Sequence, residues 1–487
     1  MAALFRLQPM ISVLLARRDR RQSKAANCAG DASEDGDFVA LRESREARKP
    51  EALGPELETL LEHPVDLDPY RPFSPRDRPV TGKGRARSAG PGKRSAWMEV
   101  EEAAASGPTA FRECLIRLSS NPGLMDKSLR NPRNSQTVLH LALASGSDEL
   151  IAAASGLATE DLVSAEFEFD VGKISGKKTA LHQCVDLGRL DLLKELLFKL
   201  PSSRARQKLL NKETPVEILG QRPRTFPCLH LAAYHGHLDI VKFLIDEAGI
   251  AVNGLNAKKD SALLWAARWG HQAVVRELLN RGARAGLEND KGSTALYWAV
   301  RYGHTETVEL LAGEGKADVN QTRKLGLVAP IVLASALGLE EIIKVLLQYG
   351  ADVNKSIRSG ERPIHHAARE GFSQIIKHLV SHHAVVDAPD ERGDTALLLA
   401  AKYGRAKSLH TLLELGANVN HKNQLGEDVW SFAVASDNDL ILRLLVIHQS
   451  SEGLDDEDVA SDNDLILRLL VIHQSSVGLD DEDGRSV

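Results

Sequence analysis

The strongest constraint on this chain is an internal repeat whose period settles at 33 residues. Nine anchor positions mark the repeat, and from the fourth anchor onward successive anchors are separated by 33 or 35 residues. One repeat of this length cannot bury its own apolar face, so the pattern predicts a row of units that stack on one another. The anchors are His140, His182, His230, Leu264, Tyr297, Val332, His365, Leu398 and Ser431.

Three further columns keep the phase of the anchors. Two places after each anchor the residue is Ala or Cys, six places after it is glycine in eight copies, and three places before it is Thr, Ser or Asp in six copies. A hydroxyl or carboxylate can cap the first amides of a helix, and glycine ends a helix in the left-handed conformation. The columns therefore predict a short inner helix in every repeat, followed by a second helix with apolar residues at helical spacing, as in 238–245 and 340–347.

These columns resemble the ankyrin repeat, whose signature reads T-P-L-H-x-A-A-x-x-G. The match is plainest at 137–140 (TVLH), 179–182 (TALH), 228–233 (CLHLAA) and 363–368 (PIHHAA). The resemblance covers about nine repeats and implies an all-α solenoid of stacked helix pairs with hairpin tips, whose inner surface binds partner proteins. It also implies that the anchor histidines are structural and brace the loops by hydrogen bonding. These histidines are His140, His182, His230 and His365.

The chain divides into four predicted regions. Residues 1–107 are expected to be a disordered basic and Pro-rich leader, because 71–94 carry eight Lys or Arg against one acid. Residues 108–133 hold a capping helix, 134–451 the repeats, and 452–487 an acidic tail. The first two anchor intervals, 42 and 48 residues, predict enlarged connections, including 201–206 and 221–224.

The last part of the chain contains a direct duplication. Residues 434–458 recur at 459–483 with one change, Glu452 to Val477. The apolar run 440–447 is expected to close the stack as its final outer helix, and its twin at 465–472 then has no place to dock. We expect the twin to pack loosely, to compete with the first copy or to promote self-association.

Composition excludes several classes of protein. The formal net charge of -6 shows no overall bias toward nucleic acid, and four widely spaced cysteines suit neither a disulfide framework nor a zinc site. No run is long and apolar enough for a membrane span. No phosphate loop, H-E-x-x-H or G-x-S-x-G motif occurs. We therefore expect no enzyme activity, cofactor or metal. The histidines at 365, 366, 378, 382 and 383 form a group in the sequence, but no acid or cysteine is present to complete a set of metal ligands.

The expected location is the cytoplasm, with the nucleus as an alternative. Residues 1–18 have an apolar and basic composition, so they are either a mitochondrial targeting helix or a frayed amphipathic terminus.

Candidate partner-binding residues lie one, four and five places after the anchors, because these positions share one face of the inner helix. Aromatic and Arg side chains are enriched in binding hot spots, and this stripe is rich in both. The alternative for Trp265 and Trp298 is that they fill space between adjacent inner helices. The candidates are Tyr234, His235, Trp265, Arg268, Trp269, Trp298, Arg301, Tyr302, Lys402 and Tyr403.

Three functions follow. The first is a non-catalytic scaffold or adaptor that binds another protein along the concave groove. The second is a substrate-recognition subunit of a ubiquitin-ligase-type complex. The third is a methyl-lysine reader, because Trp265 and Trp298 resemble the tryptophan pair that cages methylated lysine in some ankyrin domains. This chain departs from those domains at two positions: Arg268 stands in place of an acid, and Asp260 stands in place of a third tryptophan.

Overall fold

A computed structural model describes residues 96–119, 131, 135–156, 160–171, 174–218, 224–322, 328–436 and 438–451. These residues fall into two compact units, an N-terminal unit (96–322) and a C-terminal unit (328–451). Each is built from pairs of short helices, and each is described by itself. The targeting composition at 1–18, the twin helix at 465–472 and the acidic tail lie outside the described residues.

The N-terminal unit begins with two helices that precede the repeats, α1 (Ala96–Ser106) and α2 (Pro108–Ser119). The sequence interpretation placed residues 96–107 in the disordered leader, which is wrong for α1. Trp97 and Val100 are buried and lie one helical turn apart, so α1 has an apolar face, which packs on α2. The predicted capping helix is α2, whose Phe111, Cys114, Leu115 and Leu118 are buried and which also packs on the first repeat.

Five helix pairs follow in this unit, joined by two extra short helices, α5 (Glu160–Ser164) and α8 (Ser203–Leu210). The inner and outer helices of the pairs are α3 (Val138–Ser145) and α4 (Asp148–Ser155), α6 (Ala180–Asp186) and α7 (Leu190–Phe198), α9 (Cys228–His235) and α10 (Leu238–Asp246), α11 (Ala262–Arg268) and α12 (Gln272–Asn280), and α13 (Ala295–Arg301) and α14 (Thr305–Gly313).

The enlarged connections of the first two repeats contain a small antiparallel sheet, which the sequence interpretation did not include. Its four strands lie in chain order: β1 (Glu166–Val171), β2 (Ile174–Thr179), β3 (Thr214–Ile218) and β4 (Arg224–Phe226). The extra residues lengthen two successive hairpin tips until the tips pair with each other, so β2 pairs with β3. The helix pairs themselves keep the predicted arrangement.

The C-terminal unit holds four helix pairs without long insertions. They are α15 (Pro330–Leu337) and α16 (Glu340–Gln348), α17 (Pro363–Glu370) and α18 (Ser373–Ser381), α19 (Ala396–Lys402) and α20 (Ala406–Glu414), and α21 (Val429–Ala435) and α22 (Asp439–Ser451). The final outer helix α22 covers the predicted run 440–447, and its Leu440 and Ile447 side chains are exposed.

The repeat columns have the structural roles that their chemistry predicts. Thr179, Ser261, Thr294 and Thr395 each accept a hydrogen bond at the start of an inner helix. All nine small residues two places after the anchors are buried. At Gly236, φ is +77°, and a Cβ would lie 2.5 Å from the ring of His271, so only glycine fits there.

Candidate partner-binding site

Five aromatic side chains of the N-terminal unit surround one buried guanidinium. We call Tyr234, Trp265, Trp269, Trp298 and Tyr302 the aromatic cluster; they come from the inner helices α9, α11 and α13 and their ends. These helices pack side by side in chain order because the small residues between them let their backbones approach. The 33-residue period thus brings together side chains that are far apart in sequence.

Arg268 lies within cation-π distance of four of the five rings. Its Cζ is 4.3 Å from the ring centroid of Trp298, 5.2 Å from Trp265, 5.3 Å from Tyr302 and 6.0 Å from Trp269. Nη2 also donates a hydrogen bond of 3.0 Å to the Tyr302 hydroxyl. Burial lowers the pKa of Arg268, and Tyr302 opposes that shift. Since guanidinium stays charged in proteins, the cluster encloses a positive charge.

The burial of three candidates corrects their assignment to partner contact. Arg268 and Trp265 are 2% exposed and Tyr234 is 3% exposed, so a partner cannot touch them in this arrangement. They lie beneath the surface because α9, α11 and α13 pack close together. Trp265 fills space between inner helices, packed against Phe226 and Tyr234, as in the alternative interpretation from sequence.

The accessible side of the cluster is a stack of nearly parallel rings. Tyr302, 36% exposed, lies 6.0 Å from Trp298 at 21° between planes and 6.1 Å from Trp269 at 23°. Both tryptophans and Arg301 are half-buried. The three stacked rings and Arg301 are therefore the accessible part of the candidate site, and the Arg268 guanidinium lies against all three rings.

His235, another candidate, is held by the preceding repeat. Its Nε2 lies 3.3 Å from Oδ1 of Asp186, and Lys178 pairs with the same carboxylate. Burial alone would raise the pKa of Asp186, but the charge of Lys178 and the contact with His235 outweigh it and lower that pKa. Asp186 is therefore ionised at neutral pH, and His235 is oriented by it.

Lys402 and Tyr403 lie on α19 and at its end in the C-terminal unit, and both are half-buried. The Lys402 ammonium lies 5.5 Å from the ring centroid of Phe432, and the Arg369 guanidinium lies 5.6 Å from that of Tyr403. These side chains belong to a different unit from the aromatic cluster.

Arg369 takes part in a buried ion pair that the sequence interpretation missed. It occupies the same position in its repeat as Arg268, four places after the anchor, and pairs with Glu361; both residues are buried. Ser359 donates to the other Glu361 oxygen at 3.1 Å, and His366 Nε2 lies 3.8 Å from it. The sequence signal, an acid four places before the anchor, does not reveal the pair by itself, because Asp260 occupies the same position in the repeat of Arg268.

The anchor histidines are buried and bond to backbone. Three of them reach the connection that follows their own helix pair: Nε2 of His182 to Lys212 O (3.1 Å), of His230 to Asp260 O (2.9 Å) and of His365 to Ala388 O (2.9 Å). His140 instead accepts from the Thr137 amide and packs on Phe167. Burial lowers the pKa of His140 to about 3 and of His182 and His230 to about 4, so all three are neutral at physiological pH.

A second set of side chains joins adjacent repeats and was also missed. The residue after the glycine column reaches back to the inner helix of the preceding repeat: His271 Nε2 lies 2.8 Å from Tyr234 O, and His304 Nε2 lies 3.0 Å from Arg268 O. In the C-terminal unit, Arg405 Nε donates to Arg369 O at 2.8 Å. We call these contacts inter-repeat bonds. The recurring Gly-His pair at 236–237, 270–271 and 303–304 is the sequence signal for them.

The histidines at 365, 366, 378, 382 and 383 do not converge on one site. His365 and His366 are buried on α17, whereas His378 on α18 contacts Glu340, and His382 bonds to the carbonyl of His378. Within the described ranges, no group of three or more His, Cys, Asp or Glu is placed to hold a metal ion. Nor does any helix in those ranges have the length and apolar character to cross a membrane.

Repeated helix pairs with capped starts, glycine ends and braced hairpin tips define this chain as a repeat protein built on helical pairs. A family model described as ankyrin repeats (3 copies) matches residues 202–289, 229–323, 277–357 and 331–423. Residues 202–423 of the chain are therefore ankyrin repeats, as the sequence predicted. Ankyrin repeats are modules of protein-protein interaction, which supports a protein as the partner of this chain.

Two curated relatives resemble parts of the chain. Protein fem-1 homolog A-like from mouse is 34% identical over 198 residues, which cover 39% of this chain and 29% of that protein. Human ankyrin repeat domain-containing protein 63 is 35% identical over 106 residues, covering 21% of this chain and 27% of that protein. The matches thus span less than a third of either relative.

Among solved structures, the human ASB11 ankyrin repeat domain is 28% identical. The matched region covers 45% of this chain and 96% of the ASB11 chain, with a TM-score of 0.41.

Proposed function

We propose that this chain is a non-catalytic adaptor that binds a partner protein through the exposed side of the aromatic cluster. The observation that carries the proposal is the partly exposed stack of Trp269, Tyr302 and Trp298, next to which Arg301 follows in the sequence of α13 and is also partly exposed. Aromatic and Arg side chains dominate the energy of protein interfaces. Because Arg268 lies against all three rings, little side-chain entropy remains to be lost on binding.

The test is capture of partners by the full chain and by single variants, with quantitative mass spectrometry. We expect Tyr302→Ala to reduce capture of a specific partner at least about tenfold, as for a binding hot spot. Tyr349→Ala is the matched control, because Tyr349 is also 36% exposed but lies at the end of the outer helix α16. Equal capture of every protein by both variants and the parent would overturn the proposal.

Lys402 and Tyr403 are proposed as a second contact region on the C-terminal unit. Both lie on the inner-helix face and are accessible in part. Tyr403→Ala in the same capture experiment is expected to weaken the partner that Tyr302→Ala weakens. Loss of a different partner would assign the two units to separate interactions.

A ubiquitin-ligase substrate-recognition subunit is the second candidate and would use the same surface. It differs in one measurable respect: ligase subunits would copurify with the full chain and remain bound in the Tyr302→Ala variant. Their absence from the captured proteins would remove this candidate.

The methyl-lysine reader is disfavoured by Arg268, whose guanidinium lies against the rings that a methylated ammonium would need. A methyl-lysine peptide array that shows binding would reverse this conclusion.

Two further proposals come from the sequence. The first is a cytoplasmic location, tested by imaging the full chain. The second is self-association through 459–483, tested by the oligomeric state of a variant that lacks these residues.

A further inference from the structure

The sheet of the N-terminal unit has an edge strand with an unusual composition. β1 reads Glu-Phe-Glu-Phe-Asp-Val and pairs with β2 on one side, from Glu166 opposite Thr179 to Val171 opposite Ile174. Among the described residues, no other strand pairs with β1. Edge strands are often protected by lysine, whereas β1 carries three acids in six residues.

The register determines which backbone groups of β1 face outward. Val171 and Ile174 flank a two-residue connection, which makes them a hydrogen-bonded pair, and hydrogen-bonded and non-bonded pairs then alternate. The N-H and C=O groups of Glu166, Glu168 and Asp170 therefore face away from β2. The ladder between β2 and β3 follows the same alternation, since it ends where Pro215 has no N-H to donate.

The side chains near this edge select a basic partner strand. Glu168 and Glu166 pair with Lys177 and Lys212 at 3.2 and 2.7 Å, and Glu168 remains exposed. On an added antiparallel strand, residues opposite these acids are stabilised by positive charge. A second copy of β1 would instead bring acids near acids, which opposes edge-to-edge dimers.

We propose that the open edge of β1 binds the chain's own residues 82–87 as a fifth strand. These residues read Gly-Lys-Gly-Arg-Ala-Arg, so Lys83, Arg85 and Arg87 recur with the period of two that also spaces the three acids of β1. They belong to the basic leader segment 71–94, which lies outside the described residues. Main-chain bonds supply the affinity, and the alternating charges set the register.

The tether between the basic run and α1 sets how far the run can reach. Eight residues separate Arg87 from Ala96, the first residue of α1, and can span up to about 30 Å. α1 packs near α3, and His140 of α3 contacts Phe167 of β1, with ring centroids 4.4 Å apart. α1, to which the leader is joined, and β1 therefore both neighbour α3.

The first test is hydrogen exchange of the full chain, resolved to single amides by fragmentation mass spectrometry. We expect the Glu168 amide to exchange at least about tenfold faster when Lys83, Arg85 and Arg87 are all replaced by Glu. The matched control replaces Arg71, Arg76 and Arg78 by Glu, which changes the charge equally but outside the alternating run, and should leave the rate unchanged. Equal rates in both variants and the parent, or equal acceleration in both variants, would overturn the proposal.

The second test removes one outward donor. Glu168→Pro deletes the N-H that faces the open edge and leaves the pairing with β2 intact, whereas Glu168→Gln keeps that donor. Trypsin cleavage after Arg85 and Arg87 is expected to be at least about fivefold faster in the proline variant than in the glutamine variant. Identical cleavage rates would contradict docking through the β1 backbone. If residues 82–87 are protected from trypsin only at high protein concentration, the edge binds a second molecule and the proposal is wrong.

Discussion

Arg268 and Arg369 occupy the same position in two repeats and are stabilised in different ways. Both follow their anchors by four residues and both are buried. Arg268 lies against four aromatic rings, whereas Arg369 pairs with the carboxylate of Glu361 and contacts one ring, that of Tyr403. The same repeat position thus buries a guanidinium in both repeats, and the neighbouring residues decide what balances its charge.

The difference arises from Glu361, which lies in the repeat of Arg369 itself, and from residues of the adjacent repeats. The repeat after Arg268 supplies Trp298 and Tyr302, while the repeat after Arg369 supplies Leu399 and Tyr403 at the same positions. An ion pair concentrates the interaction in two atoms, whereas stacked rings distribute it over a large surface. The first arrangement should therefore be more sensitive to a single substitution.

The largest expected effect is the loss of Glu361. Glu361→Ala leaves the Arg369 charge buried without its carboxylate, and we expect the C-terminal unit to lose about 3–5 kcal/mol of unfolding free energy. Hydrogen exchange of the α17 amides in urea measures the change. Glu414→Gln removes the exposed partner of Lys377 and should change little.

A double substitution tests whether the cost comes from the stranded charge. Glu361→Leu with Arg369→Met replaces the pair by apolar side chains of similar size and should recover most of the lost stability. If the double variant is as unstable as Glu361→Ala, packing and not the ion pair explains the effect.

A smaller loss is expected from Arg268. Arg268→Met removes the cation from the aromatic cluster and should destabilise the N-terminal unit by about 2 kcal/mol. Arg268→Lys should also lose stability, because a compact ammonium cannot lie against several rings at once. Urea unfolding followed by tryptophan fluorescence, with Trp430 replaced by Phe, reports on this unit. If Arg268→Met loses as much stability as Glu361→Ala, the ring-stacked arginine is as sensitive to a single substitution as the ion-paired one, and the comparison is wrong.

A pH effect separates the two buried sites further. Burial lowers the pKa of His366, beside Glu361, to about 3, below its unfolded value of 6.5. The unfolded chain therefore binds more protons between these values, so the contribution of His366 is complete above pH 6.5 and is lost as the pH falls toward 3. In His366→Leu, the slope of stability against pH over this range should be smaller by up to about 1.4 kcal/mol per pH unit.

Leucine is a suitable replacement because Leu231 and Leu399 occupy the equivalent position in other repeats. His382→Leu, at an exposed site on the same unit, is the control. Urea unfolding at several pH values provides the slopes, and equal slopes for His366→Leu and the parent would contradict the assignment.

The smallest expected effect is a gain. Arg362 precedes α17 where Thr137 and Thr179 begin the equivalent helices, and its side chain makes no cap. Arg362→Thr should add about 0.5–1 kcal/mol, because a hydroxyl can accept from the first turn while His365 keeps its bond to the residue 362 amide. Thermal unfolding measures the change in stability. A decrease would show that the aliphatic part of the Arg362 side chain makes stabilising contacts that threonine loses.

The sequence predicted features that lie within one repeat. Helix starts, glycine ends, the small column and the order of the helix pairs follow from local chemistry that every copy shares. The aromatic stripe was also identified, since position along a helix fixes its face. Burial of Arg268, the Glu361–Arg369 pair and the sheet could not be predicted, because each depends on which side chains of different segments meet.

The helix α1 shows the same limit. Trp97 and Val100 form an apolar face that is too short to stand out against a charged leader, and its burial depends on α2. Of the ten partner-binding candidates, Tyr234, Trp265 and Arg268 are internal, and the remaining seven stay a prediction.

The inter-repeat bonds can form only in a fixed order while the chain is being synthesised. His271 and His304 each serve the inner helix of the repeat before them, and Arg405 does the same for Arg369. On a ribosome, which releases the N-terminal residues first, the ends of α9, α11 and α17 receive this donor only after the following repeat has emerged. Completion of these three helix ends therefore trails elongation by about one repeat.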